Sequence, residues 1–447
     1  MRIELRDNYG RLFFIAQGAG APRAGADGTL TWTMPQEALR RAVSSCLRVR
    51  VQALAGRTVA DEREVTLTIP RSMAEEYPAC MWGLSPGYIG HLAAQRIREL
   101  GFNMVLGGSS TANAQRLAIE DLKNIPYCAR ICDRKQLVKQ DTIVGIRQEM
   151  TKVARNLARF GPYVYSLGDE NAMPGDLGYQ PEDKPSLLEF LKRRYSSLDD
   201  LNRAWGTEFR DWESVQPLSA ADAQARRQYT AWHDVLSFRE DLYAQRHHDY
   251  ADAIRTGDHD ARVGAEGSEE GDLELTITGQ PPSKALEFWG PYRDLRYNAL
   301  LRSVASRDLV RGNWFGGYRF GRYKPTTYPA FLWDALFDGN NLIQHFALAT
   351  VETIFNTDYS LSYWNLWYWD DLEMLLDGPG QLVQRASHEY DPVAVLHGQA
   401  SVHAGMMEAP LGATTSHTAA CSRRLASAGC STTTSLTATR TCWRPRA

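Results

Sequence analysis

The sequence predicts an α/β fold: a (β/α)8 TIM barrel with a short N-terminal β-sandwich-like segment before it and an irregular, disordered tail behind it. Three observations carry this expectation. Between residues 79 and 171, apolar strand-like runs alternate with helix-length amphipathic segments, four times in succession. Parallel strands need such helical crossovers. These runs recur at roughly 25–35 residues, the spacing of a barrel. No GxGxxG turn follows the first run, which argues against a doubly wound dinucleotide-binding sheet. The boundaries that follow are 1–72 for the β-rich segment, 73–400 for the barrel and 401–447 for the tail.

In the first segment, Cys46–Leu54 alternates apolar and polar residues, Gly56-Arg57 makes a turn, and Glu64–Pro70 alternates again. In the barrel, a first strand over Ala79–Leu84 leads to a helix over Ile89–Leu100 that stops at Gly101, a natural C-cap. The second strand is Phe102–Leu106, followed by a helix over 111–123. The third is Tyr127–Cys132, followed by a helix over 142–159 that stops at Gly161. The fourth, Pro162–Leu167, runs into Gly168-Asp169-Glu170-Asn171. A helix at 185–204 and a longer one at 230–255 come next. The remaining strands are expected at Ala261–Ala265, Leu286–Trp289, Leu309–Phe315 and Thr353–Asn356.

Composition narrows the function. The 447 residues include 50 basic and 53 acidic side chains, a net charge of -3, which disfavours nucleic acid as a partner. No apolar run approaches the roughly 20 residues that cross a bilayer, and the N-terminus lacks an apolar signal core. No membrane partner is expected, and the chain as written reads as cytoplasmic. Seven Cys form no CxxC pair. Cys128 and Cys132 read as small apolar filling of a strand. No metal site and no cofactor are expected, and an oligomer is compatible with the composition. Twelve Trp and twenty Tyr suit a carbohydrate cleft, although core filling serves any single Trp as well. After Glu408 no acidic residue occurs, and Thr, Ser, Ala and Arg crowd the tail without period. A disordered linker or a slipped reading frame would each give that pattern.

Chemistry in a parallel barrel sits at the C-terminal strand ends, where the βα loops converge. Glu170 stands just past the end of the fourth strand, with Asp169 and Asn171 on either side and Gly168 relaxing the backbone. A carboxyl beside another in an aromatic cleft has its pKa raised by desolvation and repulsion, as a general acid requires. A solvated Asp-Glu-Asn loop is the plain alternative. Val263-Gly264-Ala265-Glu266-Gly267 also ends a strand-like run at a carboxylate between glycines. Glu269, Glu270 and Glu287 are weaker alternatives to Glu266, and a solvated turn would explain the acidic cluster as well. Trp314, Trp364 and Trp367, among other late aromatics, are candidates for a sugar-stacking wall. His247 and His248 read as solvated on a charged helix face.

The stretch Val164-Tyr165-Ser166-Leu167-Gly168-Asp169-Glu170-Asn171 is followed by Leu188–Tyr195. Then come Leu198-Asp199-Asp200-Leu201-Asn202-Arg203-Ala204-Trp205-Gly206-Thr207-Glu208-Phe209, Trp212 and Pro217. Together these resemble glycoside hydrolase family 42, the β-galactosidase family of clan A. The match covers about residues 80–215, and the order of elements continues to about 370. The resemblance implies that Glu170 is the acid/base and that Trp205 and Phe209 anchor an excursion against the barrel. Two departures stand out. The family places Asn directly before its acid/base, where this chain has Asp169. The clan places its nucleophile on the seventh strand, and Val310–Tyr318 holds no carboxylate.

The expectation is a retaining, β-galactosidase-like exo-glycosidase acting on a carbohydrate substrate. Glu170 serves as acid and then base, Glu266 as nucleophile, and Asp169, Asn171, Trp314, Trp364 and Trp367 bind substrate. The alternatives are a catalytically silent carbohydrate-binding barrel and a β-glycosidase for another sugar, a β-mannoside or uronide.

Overall fold

A computed structural model of the chain describes residues 1–17, 23–24, 27, 29–42, 45–70, 73, 76–83, 87, 89–267, 286–292, 298, 301, 308–316, 327–346, 356, 358, 360, 366–389, 403 and 442–445. Arg2–Arg6 (β1), Leu12–Gln17 (β2), Cys46–Ala55 (β5) and Thr58–Thr68 (β6) form an antiparallel sheet in the order β2-β1-β5-β6. Arg23–Ala24 (β3) and Leu30–Thr31 (β4) pair as a separate ribbon. Gly56, at φ 66, makes the β5–β6 turn, as its sequence setting requires. Ile3, Leu5, Ala16 and Val49 form this segment's own small core with Trp32 and Met34.

Eight parallel strands close the barrel. They are Ala79–Trp82 (β7), Met104–Gly108 (β8), Lys123–Tyr127 (β9), Tyr165–Asp169 (β10), Val263–Glu266 (β11), Phe288–Gly290 (β12), Val310–Gly316 (β13) and Leu342–Phe346 (β14). Neighbours follow chain order, and β14 pairs with β7 to complete the ring. The fold is a (β/α)8 TIM barrel. Its lumen is filled by residues that alternate inward along the strands, including Cys80, Met104, Ile125, Phe288, Val310 and Leu342. Outward-facing residues pack under the helices in two further clusters. One lies beneath Gln140–Leu157 and Tyr229–Gly257, the other beneath Ile89–Glu99 and Thr327–Phe337.

Two strands differ from expectation. The third is Lys123–Tyr127, not Tyr127–Cys132, because the preceding helix stops at Ile119. Lys123, Asn124 and Pro126 make this strand look polar, yet Lys123 uses its ammonium to bond Gly161 O at 2.7 Å. Cys132 therefore lies exposed in the following loop rather than in a strand. The eighth strand is Leu342–Phe346. Its Gln344 and His345 disguise it, although both are fully buried. The segment first expected there, Thr353–Asn356, falls outside the described residues except for Asn356.

Between β10 and β11 the chain makes a long excursion. The expected single helix at 185–204 is two, Lys184–Arg194 and Leu198–Trp205, the second capped by Ser197. Gly206 ends it at φ 67, and the Asn202 side chain then binds both N and O of Phe209. Trp205, 2% exposed, donates its indole N–H to Asp234 Oδ2 at 2.7 Å. Asp234 also accepts from Tyr195 and Arg194. Trp205 thus anchors the excursion to the helix Tyr229–Gly257, with Phe209 edge-on at 6.3 Å.

Most of the tail lies outside the described residues. Cys442–Pro445 pairs antiparallel with Ala386–Glu389. His403 is buried, with Nε2 at 2.6 Å from Glu240 Oε1. Among the described residues, no helix is long and apolar enough to cross a membrane.

Candidate active site

Strand β10 brings Asp169 to the barrel mouth in register with Glu266 at the end of β11. The ladder is irregular between Ser166 and Asp169, so the chain turns sharply as it leaves the strand. Gly168 is required here. At φ +122, a Cβ on it would lie 2.2 Å from Ala129 O. Two residues on, Glu170 takes φ 51, a left-handed backbone that a non-glycine residue adopts at a cost. Its N–H is held by Glu266 O at 3.2 Å.

The Glu170 carboxylate is bracketed. Tyr292, two residues past β12, donates its hydroxyl to Oε1 at 2.7 Å. Arg130, three residues past β9, donates to Oε2 and to the Glu170 carbonyl, each at 3.3 Å. The side chain remains 42% exposed, so the desolvated setting expected for Glu170 is not the one it occupies.

Burial acts instead on the two neighbouring carboxyls. Asp169 is raised to about 6, first by desolvation and then by the Glu170 charge. Its Oδ1 sits over the Gly267 α-carbon, where a Cβ would lie 1.5 Å away. Its N–H is held by the Tyr127 hydroxyl at 3.1 Å. Glu266, 1% exposed, points into the lumen. Its carboxyl is pushed well above the usual range, chiefly by burial. The Ser166 hydroxyl opposes that shift, the Asp169 carboxylate adds to it, and the Gln344 amide opposes it.

Two of the expected substrate contacts lie buried. Asn171 is 3% exposed and its amide is consumed by the protein. Oδ1 accepts from Ile131 N at 2.8 Å, while Nδ2 donates to Leu167 O and to His247 Nε2. Its place after the strand made it look like a sugar contact, but the left-handed turn at Glu170 directs it inward. Trp314 is 7% exposed and forms part of the mouth's floor rather than an open wall. It lies 4.9 Å from the Trp82 ring, which also meets Phe346 at 5.3 Å and Tyr127 at 6.0 Å. Trp367 lies within the helix Leu366–Leu376, and Trp364 is outside the described residues.

His247, expected in solvent, is buried between Asn171 and its own helix. Nδ1 donates to Tyr243 O at 2.9 Å, leaving Nε2 to accept from Asn171. Burial lowers its pKa to about 4. Glu287 belongs to the opposite end of the barrel, where it takes Arg255 and Val263 N as partners. Glu269 and Glu270 lie outside the described residues. The seventh barrel strand holds Asn313 rather than a carboxylate. Asn313 faces outward into a buried amide network with Asn298 and Asn340 and donates to Pro291 O.

Arg130, Tyr292, Tyr127, Trp82 and Gln344 were not singled out from sequence. Trp82 and Tyr127 are the last residues of β7 and β9. Correct boundaries for the third and eighth strands would have flagged Tyr127 and Gln344.

No family model matches the chain, and no curated protein matches it in sequence. Solved structures resemble its fold. A β-galactosidase from Bacillus circulans sp. alkalophilus matches with a TM-score of 0.57 at 12% identity, over 75% of this chain and 61% of its own. A β-galactosidase from the psychrophilic Marinomonas ef1 matches at 0.54 and 11%, over 71% of this chain and 62% of its own. The catalytic domain of a β-amylase from Paenibacillus polymyxa matches at 0.50 and 12%, over 68% of this chain and 100% of its own. The chain thus spans about three-fifths of the length of these β-galactosidases. At such identities the likeness establishes a shared barrel fold.

Proposed function

We propose that this barrel hydrolyses a β-linked glycoside, with Glu170 as acid and then base and Glu266 as the second carboxylate. The observation that carries the reading is the placement of Glu170. A left-handed backbone holds it at the end of the fourth barrel strand, with Arg130 and Tyr292 fixing its carboxylate. Strain retained at such a position is characteristic of a functional site. The adjacent strand end carries Glu266, giving the two carboxyls that glycoside hydrolysis uses. Likeness in fold to β-galactosidases supports galactosides as the first substrates to try.

In this reading Glu170 protonates the leaving oxygen as the glycosidic bond breaks. Glu266 attacks the anomeric carbon, and Glu170 then takes a proton from the water that releases the sugar. Glu266 must be ionised to attack, so the reaction favours conditions in which the coupled Asp169–Glu266 pair has lost its first proton. No cofactor enters the scheme.

A second reading has its own support. The burial of Glu266 and the absence of a carboxylate in Val310–Gly316 favour a barrel that binds carbohydrate without cleaving it.

One experiment separates the two. Aryl β-galactosides, β-mannosides and β-glucuronides are offered to the chain, and the anomer formed first is read by NMR. Hydrolysis with retention, and labelling of Glu266 by a mechanism-based fluoro-sugar, is the expected result. Saturable sugar binding with no turnover on any substrate would sink the hydrolase reading in favour of the binding barrel.

A further inference from the structure

Glu266 does not stand alone in the lumen. Gln344, on β14, is fully buried and donates Nε2–H to Glu266 Oε2 at 3.3 Å. To do so its side chain passes across the inner faces of β12 and β13. Both strands carry glycine where a side chain would block the way. A Cβ on Gly290 would lie 2.5 Å from Gln344 Oε1, and one on Gly312 would lie 2.6 Å from the same atom. Neither glycine has a positive φ. Backbone conformation therefore does not demand glycine at 290 or 312, and the passage of the amide does. Gly290 is also the register partner of Glu266, so the gap opens beside the carboxyl itself.

We infer that Gln344 is a positioning residue for Glu266, and that Gly290 and Gly312 are small in order to admit its amide. The inference rests on Glu266 being the second carboxylate of the proposed reaction. The Ser166 hydroxyl also faces Glu266 and the Asp169 carboxylate repels it, but the rest of the lumen, packed with Cys80, Ile125, Val310 and Leu342, is apolar. An amide donor in that setting holds the carboxyl in one rotamer and favours its charged form. Three strands that carry no catalytic side chain are thereby committed to the fifth. That arrangement also accounts for a glutamine in the middle of a buried strand, where an apolar residue would otherwise pack.

The test reads Glu266 directly. Its protonated-carboxyl band is followed by infrared difference spectroscopy against pH, with Glu266→Gln as the reference that lacks it. Gln344→Met keeps the length and removes the donor. The protonation midpoint of Glu266 should rise by on the order of one pH unit. In the hydrolase, kcat at neutral pH should fall roughly tenfold with KM little changed, and the acid limb should move up by the same interval. Gly312→Ala leaves Gln344 in place but pushes its amide aside, so it should shift the midpoint in the same direction. It also reads the contact should Gln344→Met fail to fold. An unchanged Glu266 midpoint in either folded variant would overturn the inference. A shifted midpoint in a chain that hydrolyses nothing would support the pairing while removing the hydrolase reading.

Discussion

Glu170 joins backbone strain to proposed chemistry, and substitutions there separate the two. At φ 51 any residue with a Cβ bears about 1–2 kcal/mol of left-handed strain. Glycine escapes it but loses about 0.5–1 kcal/mol through its freedom in the unfolded chain. Glu170→Ala and Glu170→Gly both forfeit the contacts to Arg130 and Tyr292, so their difference isolates the backbone. Glu170→Gly should be the more stable of the two by roughly 0.5–1 kcal/mol, the reverse of the ordinary preference for alanine. Glu170→Gln keeps the volume and an acceptor for Tyr292. It loses an ion pair whose partners are 50% and 42% exposed, worth at most about 1 kcal/mol. Its urea midpoint should stay close to that of the parent. Its turnover of a glycoside with a poor leaving group should fall by about 10²–10⁴-fold, and that of an activated aryl glycoside by much less. Two results would refute this reasoning. If Glu170→Ala equals or exceeds Glu170→Gly in stability, the residue is not held in the left-handed region. If Glu170→Gln loses both substrates equally, Glu170 is not the proton donor.

Asn171→Leu strands Ile131 N–H and His247 in the interior, so it should cost about 2–4 kcal/mol in denaturant unfolding; a neutral change would return Asn171 to the cleft. Asp169→Asn has a signed pH dependence. The folded value near 6 lies above the ordinary value of about 3.9, so the fold binds more protons between them and loses stability as pH rises through that window. The Asn variant should therefore melt higher than the parent above pH 6, with the advantage gone by about pH 4. His403→Ala removes the imidazole 2.6 Å from the buried Glu240 carboxylate and should cost about 2–3 kcal/mol. Deleting residues 411–447 keeps that contact and removes, among the described elements, the strand Cys442–Pro445, so the thermal midpoint should move by no more than about 2 °C.

The barrel was legible in sequence because its signals are local. Alternating apolar runs and amphipathic helices, punctuated by Gly101 and Gly161, report parallel strands with crossovers whatever the rest of the chain does. Glu170 and Glu266 became candidates by the same logic, since each stands at the end of a run that can be recognised as a strand. Strands three and eight were misplaced because Lys123, Asn124, Gln344 and His345 are polar residues buried by the closed ring. Polarity along the chain cannot reveal that enclosure. The tertiary structure alone decided the electrostatics. It left Glu170 partly exposed, buried Glu266, drew Asn171 and His247 inward, and supplied Arg130, Tyr292 and Gln344 from three other strands or loops. A pKa depends on what surrounds a carboxyl within a few ångströms, and in this barrel those neighbours lie from about 40 to over 120 residues away along the chain.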